Sequence, residues 1–281
     1  MHGIIVVDKE YGVTSRDVVN ELSKIFKTKK IGHTGTLDPL ATGVLVITIG
    51  KYTKLNEILT STYKEYIATL KLGIKTDTYD IEGKVLEEKD VNLTEEEIKK
   101  TIMSFEGKYM QEVPIYSSVK INGKKLYEYA RQGIDVSLPK REVDIRKIEV
   151  MSIDNNIVKF KCLVSKGTYI RSLINDIGSS LGCGAIMTAL RRTKQGNFNI
   201  DEAYTLEDIK NNNYKFVDIE NKIDIHSVNI DDELLFKIKN GGILDNIYNE
   251  DTILFKYNND MVAIYKKYDK DETKLKPWKM L

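Results

Sequence analysis

Residues 32–43 read Gly-His-Thr-Gly-Thr-Leu-Asp-Pro-Leu-Ala-Thr-Gly and hold one carboxylate, Asp38. It lies between Leu37 and Leu40, ahead of Pro39, in a loop punctuated by Gly32, Gly35 and Gly43. Sites for hard cations need several oxygen ligands, and two-carboxylate glycosidases need a partner acid. A lone Asp in a tight apolar turn therefore suits a nucleophile better than a metal ligand. Read in isolation, Asp-Pro is also an ordinary turn-former. The glycines do not form a Walker loop, because the Gly-Lys-[Ser/Thr] ending is missing.

The elements that must position Asp38 follow from periodicity. Residues 4–8 read as a buried strand. Thr14, with Asp17 three residues on, opens a helix whose apolar stripe is Val18, Val19, Leu22, Ile25 and Phe26. A strand over 44–49 and a helix over 53–59 follow the glycine loop. In the extended run 66–72, alternation puts Tyr66 on the more apolar face. Thr94-x-x-Glu97 is a second capping box, for a helix to about residue 105. Asn122-Gly123 marks a turn, and 124–132 reads as a short basic helix ended by Gly133. Residues 141–153 and 157–164 form a hairpin about 154–156. Thr168 then caps a helix with the stripe Ile170, Leu173, Ile174, Ile177 and Leu181. Tyr169 and Arg171 flank that stripe in its first turn, where the helix dipole favours an anion. Strands and helices without regular alternation predict an α+β fold with a mixed, largely antiparallel sheet.

The chain has 281 residues, 41% hydrophobic and 30% charged, which suits one large globular domain and a small one. Its net charge of +1 hides an asymmetry. Residues 161–195 carry six cations against one acid, whereas 201–235 carry ten acids against three lysines. A basic block is an electrostatic footprint for nucleic acid, or simply a solvated face. Cys162 and Cys183 show neither a Cys-x-x-Cys nor a zinc spacing, and reduced thiols are expected. His2 and His226 lie outside any ligand spacing with His33. The N-terminal apolar run, Ile4 to Val7, is too short for a signal-peptide core and no stretch approaches a membrane span, so a soluble, cytoplasmic protein is expected. The acidic segment after Asp201, with Asn211-Asn212-Asn213, reads as a helix and linker leaving the core. A different pattern begins near Ile225: a short helix over 231–239, Gly241-Gly242, and strands over 252–257 and 261–268. Domains at 1–224 and 225–281 are expected.

The segment GHTGTLDPLATG closely resembles the catalytic-loop motif of TruB-type tRNA pseudouridine synthases. Further segments are similar, in the family's order: GIIVVDKEYG (3–12), YKEYIATLKLG (63–73), TDTYDIEG (76–83), PIYSSVKINGKKLYEYARQG (114–133), SKGTYIR (165–171) and GCGAIMTALRR (182–192). Glu10 stands where the family usually has Pro. The resemblance implies the pseudouridine synthase fold with a small, β-rich, PUA-like RNA-binding domain at the C-terminus, whose last strand Lys276-Pro-Trp-Lys-Met-Leu resembles. It implies isomerisation of uridine 55 in the tRNA T-loop to pseudouridine, with no cofactor and no metal. Asp38 would attack C1′ of a flipped-out nucleotide, directly or by way of a glycal, and Arg171 would offset the desolvation of Asp38 by its leucine neighbours. Tyr66 would stack on the target base and accept a proton. Tyr169 and Leu190 would line the base pocket, and His33 would fill the space vacated by the extruded nucleotide. Lys9, Lys124, Lys125 and Arg131 would contact phosphate and structure, while Asp80 would hold either an RNA hydroxyl or a turn. The partner would be the tRNA T stem-loop, bound by a monomer without guide RNA or membrane. A guide-dependent relative and a T-loop-gripping RNA-folding module are the rival readings.

Overall fold

The computed structural model describes residues 1–60 and 62–281. In chain order, β1 (Gly3–Lys9) leads to α1 (Ser15–Ile25), where Thr14 and Asp17 form a complete capping box. β2 (Ile31–His33) and β3 (Ala41–Ile49) bracket the glycine loop, followed by α2 (Asn56–Thr60) and β4 (Lys64–Leu72). A small hairpin, β5 (Ile74–Thr76) with β6 (Val85–Glu88), precedes α3 (Glu95–Met103) and β7 (Gly107–Glu112). Next come β8 (Lys120–Ile121), β9 (Lys124–Lys125) and α4 (Leu126–Arg131), then the hairpin of β10 (Lys140–Asp154) and β11 (Ile157–Val164). α5 (Ile170–Ser180), β12 (Ala185–Gln195), β13 (Phe198–Asn199) and α6 (Leu206–Lys210) complete the larger part.

One nine-stranded sheet runs β1-β3-β12-β4-β11-β10-β7, with β2 beside β3 and β13 beside β12. Every pairing in it is antiparallel except β3 with β12, where Ala41, Thr42 and Gly43 lie opposite Leu190, Arg191 and Arg192. That short parallel contact joins the exit of the glycine loop to the middle of the sheet. α1 covers Ile5, Val7, Leu45 and Ile47 on one face of β1 and β3. Ile4, Val6, Val44 and Val46 point the other way, as strand alternation requires. α3 and α5 cover β4, β11 and β12 through Ile98, Ile102, Leu173, Ile174 and Ile177.

The C-terminal residues form a second sheet from β14 (His226–Asn229), β15 (Leu244–Asp245), β16 (Thr252–Tyr257), β17 (Asp260–Tyr268) and β18 (Asp271–Met280), with α7 (Asp232–Lys239) after β14. Its strand order is β14-β16-β17-β18-β15. Leu254, Met261 and Ile264 pack on Ile4, Val6, Val44 and Val46 of the large sheet. Among the described residues, no helix is long and apolar enough to cross a membrane. Cys162 and Cys183 are both buried free thiols.

Four local expectations are corrected. The helix expected over 53–59 begins as a 3₁₀ segment, Gly50–Leu55, in which Thr53 Oγ1 donates to the Gly50 carbonyl at 2.9 Å. The basic helix starts only at Leu126, because Asn122 (φ 50°) and Gly123 (φ 83°) make a two-residue hairpin turn that pairs Lys124 and Lys125 with Ile121 and Lys120. Thr168 does not cap α5. Its hydroxyl donates to the Ser165 carbonyl at 2.9 Å, and Tyr169 occupies the cap position. The acidic segment does not leave the core. Tyr204 N–H donates to the Val6 carbonyl, the Tyr204 carbonyl accepts from Asp8, and Val217 N–H donates to the Ile4 carbonyl, all on the free edge of β1.

Candidate active site

The loop carrying Asp38 is tied down from three sides. Ser15, the first residue of α1, accepts from Leu37 N–H at 2.9 Å and donates to the Leu37 carbonyl at 3.1 Å. Lys9, fully buried beneath the turn, donates to the carbonyls of Glu10, Val13 and Pro39. Burial pulls Lys9 down to about 8, against the opposing attraction of Asp38. Lys9 is therefore a brace of the turn, out of reach of any RNA phosphate. Arg192, equally buried, donates from Nε to the Val44 carbonyl and from Nη2 to the Gly35 carbonyl. Gly43 has φ 99°, and a Cβ there would stand 2.2 Å from the Arg192 carbonyl oxygen. Only glycine fits that close approach.

Leu37 and Leu40 point into the core, and this leaves the Asp38 side chain 42% exposed. The expected envelopment of the carboxylate by its leucine neighbours does not occur, because they anchor the loop instead. Arg171, in the first turn of α5, is 6% exposed and presents Nε to Asp38 Oδ2 at 3.0 Å. Its other nitrogens are also committed: Nη1 donates to the Thr78 carbonyl and Nη2 to the Tyr116 carbonyl, both at 3.0 Å. Asp80 Oδ2 lies 3.7 Å from Nη1. Asp80 also accepts from the Thr78 hydroxyl and the Glu82 N–H, so it orders its own turn and faces Arg171 from behind. The guanidinium is held rigidly by four partners, which suits the planar fork of arginine and not a lysine.

Asp38, Tyr66, Arg171, His33, Tyr169 and Leu190 all line one cleft of about 850 Å³. Tyr66 reaches it from β4, where Lys64, Tyr66, Ala68, Leu70 and Leu72 share the buried face. Across the ladders Tyr66 stands opposite Cys162 on β11 and Arg192 on β12, while Leu190 stands opposite Ala68. Burial is the main cause holding the His33 imidazole below its usual range, helped by Arg16 and Arg192. His33 Nδ1 accepts from Gly35 N–H at 3.4 Å.

The cleft also contains residues that the sequence reading did not single out: Arg16, Lys64, Tyr116, Tyr127 and Lys166. Lys64 was detectable, since it shares the Tyr66 face two residues earlier. Its ammonium donates to the Thr60 and Thr62 carbonyls, and burial brings it to about 8. Of the basic residues before Gly133, Lys125 lines the cleft, whereas Lys124 lies over the Tyr129 ring and Arg131 over the Tyr127 ring. Among the described residues, no three His, Cys, Asp or Glu side chains converge as a metal site.

A buried arginine, the loop aspartate it grips and a strand tyrosine thus share one cleft on this mixed sheet. Two solved structures share the architecture at a TM-score of 0.72. One is a Cbf5-Nop10-Gar1 complex (28% identity, covering 94% of this chain and 78% of that one). The other is an H/ACA RNP bound to a substrate RNA containing 2′-deoxyuridine (26% identity, 99% and 84%). Residues 23–170 match the TruB family pseudouridylate synthase (N terminal domain), and 171–227 match the tRNA pseudouridylate synthase B C-terminal domain. The tRNA pseudouridine synthase B of Clostridium tetani is 45% identical over 90% of this chain and 94% of its own. That of Lactobacillus acidophilus is 42% identical over 96% of both. The chain belongs to the TruB family of pseudouridylate synthases.

Proposed function

We propose that the protein converts uridine 55 in the T-loop of tRNA to pseudouridine, with Asp38 as the nucleophile. The observation that carries this reading is the Asp38–Arg171 pair at the floor of a cleft walled by Tyr66, Tyr169 and Leu190. The N1–C1′ bond breaks as the carboxylate takes up C1′, directly or after a glycal forms. The freed uracil turns and C5 bonds to C1′. C5 then gives up its proton and N1 ends protonated, so substrate and product are isomers and nothing is oxidised or hydrolysed overall.

The buried guanidinium orients the carboxylate for attack through the Nε–Oδ2 contact and stabilises the anion again when the glycosyl bond to it opens. Tyr66 stacks on the uracil while it is detached, a contact worth about 1–3 kcal/mol, and its hydroxyl relays the proton leaving C5, taking it up as its own passes on. Tyr169 and Leu190 complete the slot, and His33 occupies the gap left in the RNA stack. Lys125 and Lys166, which line the cleft, suit the RNA backbone, which positions the substrate without reading its sequence.

The body over residues 1–224 performs the chemistry and the module over 225–281 adds RNA contact. The enzyme acts as a cytoplasmic monomer on the T stem-loop, without a guide RNA. Support for the guide-free reading comes from the higher identity to the tRNA pseudouridine synthase B proteins than to the Cbf5 complexes. The test is tritium release from [5-³H]uridine-labelled unmodified tRNA by the purified protein alone, with uridine 55 replaced by cytidine as control. Release that vanishes in the control supports the assignment. Tight binding without release would favour a guide-dependent or RNA-folding role.

A further inference from the structure

We infer that Gln111, which lies outside the cleft, is a positioning residue of the reaction, holding Tyr169 and Arg171 in register with Asp38. The inference rests on the function proposed above. Gln111 is the fifth residue of β7 and is fully buried. Its carboxamide grips one residue at both ends: Oε1 accepts from Tyr169 N–H at 2.8 Å, and Nε2 donates to the Tyr169 carbonyl at 3.1 Å. Nε2 also donates to the Tyr109 hydroxyl at 2.7 Å.

This clamp does what the sequence of α5 cannot do for itself. Tyr169 occupies the cap position with extended backbone (φ −100°, ψ 115°) and supplies no side-chain bond to the helix. Without Gln111 the Tyr169 N–H would be left without a protein partner at a buried helix start, a costly arrangement. The rest of the segment reinforces the grip. The Glu112 carbonyl accepts from the Ser172 hydroxyl at 2.9 Å, and the Tyr109 hydroxyl reaches Asp176 on α5 at 3.3 Å. Opposite Gln111 in the ladder is Arg141, whose guanidinium lies 5.8 Å from the centre of the Tyr169 ring.

The consequence lies two residues further on. The backbone direction at Tyr169 sets the first turn of α5, and that turn decides where Arg171 Nε points. Arg171 in turn donates to the Tyr116 carbonyl, on the same connection that leaves β7. One stretch of chain therefore holds the tyrosine of the base slot by its backbone and the arginine of the carboxylate pair by its head group. A misplacement of about 1 Å at such a group lowers a chemical step by roughly 100-fold, whereas a mere loss of helix capping lowers only stability.

The test is Gln111→Ala, measured in the full chain at a temperature where circular dichroism shows it folded. Two quantities are compared with the wild type: the single-turnover rate at saturating tRNA, and the equilibrium dissociation constant for tRNA. A fall of roughly 10- to 100-fold in the rate, with affinity held within about twofold, is the expected split. A wild-type rate with a lowered Tm would overturn the inference, as would weakened affinity at an unchanged rate. If the alanine variant does not fold, Gln111→Met, which fills the same length without polar groups, carries the same expectation. A wild-type protein without turnover would overturn the proposed function and this inference with it.

Discussion

The Ser15 hydroxyl satisfies both backbone polar groups of Leu37, the residue immediately before Asp38. The start of α1 is thereby welded to the loop that carries the carboxylate. Ser15→Ala leaves a buried donor and a buried acceptor unpaired, costing roughly 1–3 kcal/mol of stability. Because the loop itself is released, the single-turnover rate should fall as well. Chemical denaturation and rapid-quench kinetics on the same preparation check both. A stability loss with an unchanged rate would detach Ser15 from the site.

Gly43→Ala should be more damaging than its size suggests. The added Cβ meets the Arg192 carbonyl at 2.2 Å, at a φ of 99°. Backbone strain of about 1–3 kcal/mol is joined by separation of β3 from β12. Urea unfolding midpoints of the variant and the wild type give the comparison, and equal midpoints would contradict the close approach.

Asp38→Asn keeps the shape of the loop but removes the proposed nucleophile and the charge facing Arg171. Turnover should disappear while tRNA affinity stays within a few-fold. Tritium release and filter binding measure the two separately. Retained turnover would remove Asp38 from the mechanism.

Tyr66→Phe retains the stacking face and deletes the phenol. Its buried position on β4 predicts normal folding and normal tRNA affinity with a slowed chemical step. Undiminished activity would restrict Tyr66 to stacking.

Asp176 supplies a pH prediction. Burial raises its carboxyl to about 6, with Glu112 adding to the rise and Tyr109 and Lys140 opposing it. The folded state thus holds this proton to higher pH than the unfolded chain does. Stability from the group is complete below about pH 4 and is lost as pH rises through about 6. Asp176→Asn should therefore be more stable than the wild type at pH 7, with the advantage vanishing toward pH 4. Urea titrations at the two values decide, and an advantage of equal size at both would refute the linkage.

Local signals in the chain were readable wherever both partners lie within one turn. Thr14 with Asp17, and Thr94 with Glu97, form the capping boxes their spacing announces. Alternation along 64–72 places Tyr66 on the buried face, and a dozen contiguous residues mark the loop around Asp38. What escaped depends on distant partners. The cap residue of α5, Tyr169, is held by Gln111, 58 residues away, whereas Thr168 is favoured by proximity alone. The acid behind Arg171 is Asp80, which the turn at 76–83 holds there through its bridge to Met187 on β12. Lys9 carries a charge near the glycine loop, and a cation beside an RNA site suggests phosphate. Three carbonyls of its own turn claim it instead.

The strip of chain around Tyr204 and Val217, hydrogen-bonded along β1, has one more effect. β1 is the last strand on its side of the sheet, and Ile4, Ile5, Val6 and Val7 are completely buried. Bare, such an apolar border is a template for strand addition by another molecule. The acidic segment acts as a hem that closes it. Cutting the chain after residue 200 removes both this hem and the apolar cover of Leu254, Met261 and Ile264, and should therefore raise self-association, read as a larger mass by light scattering, even though every residue of the cleft would still be present.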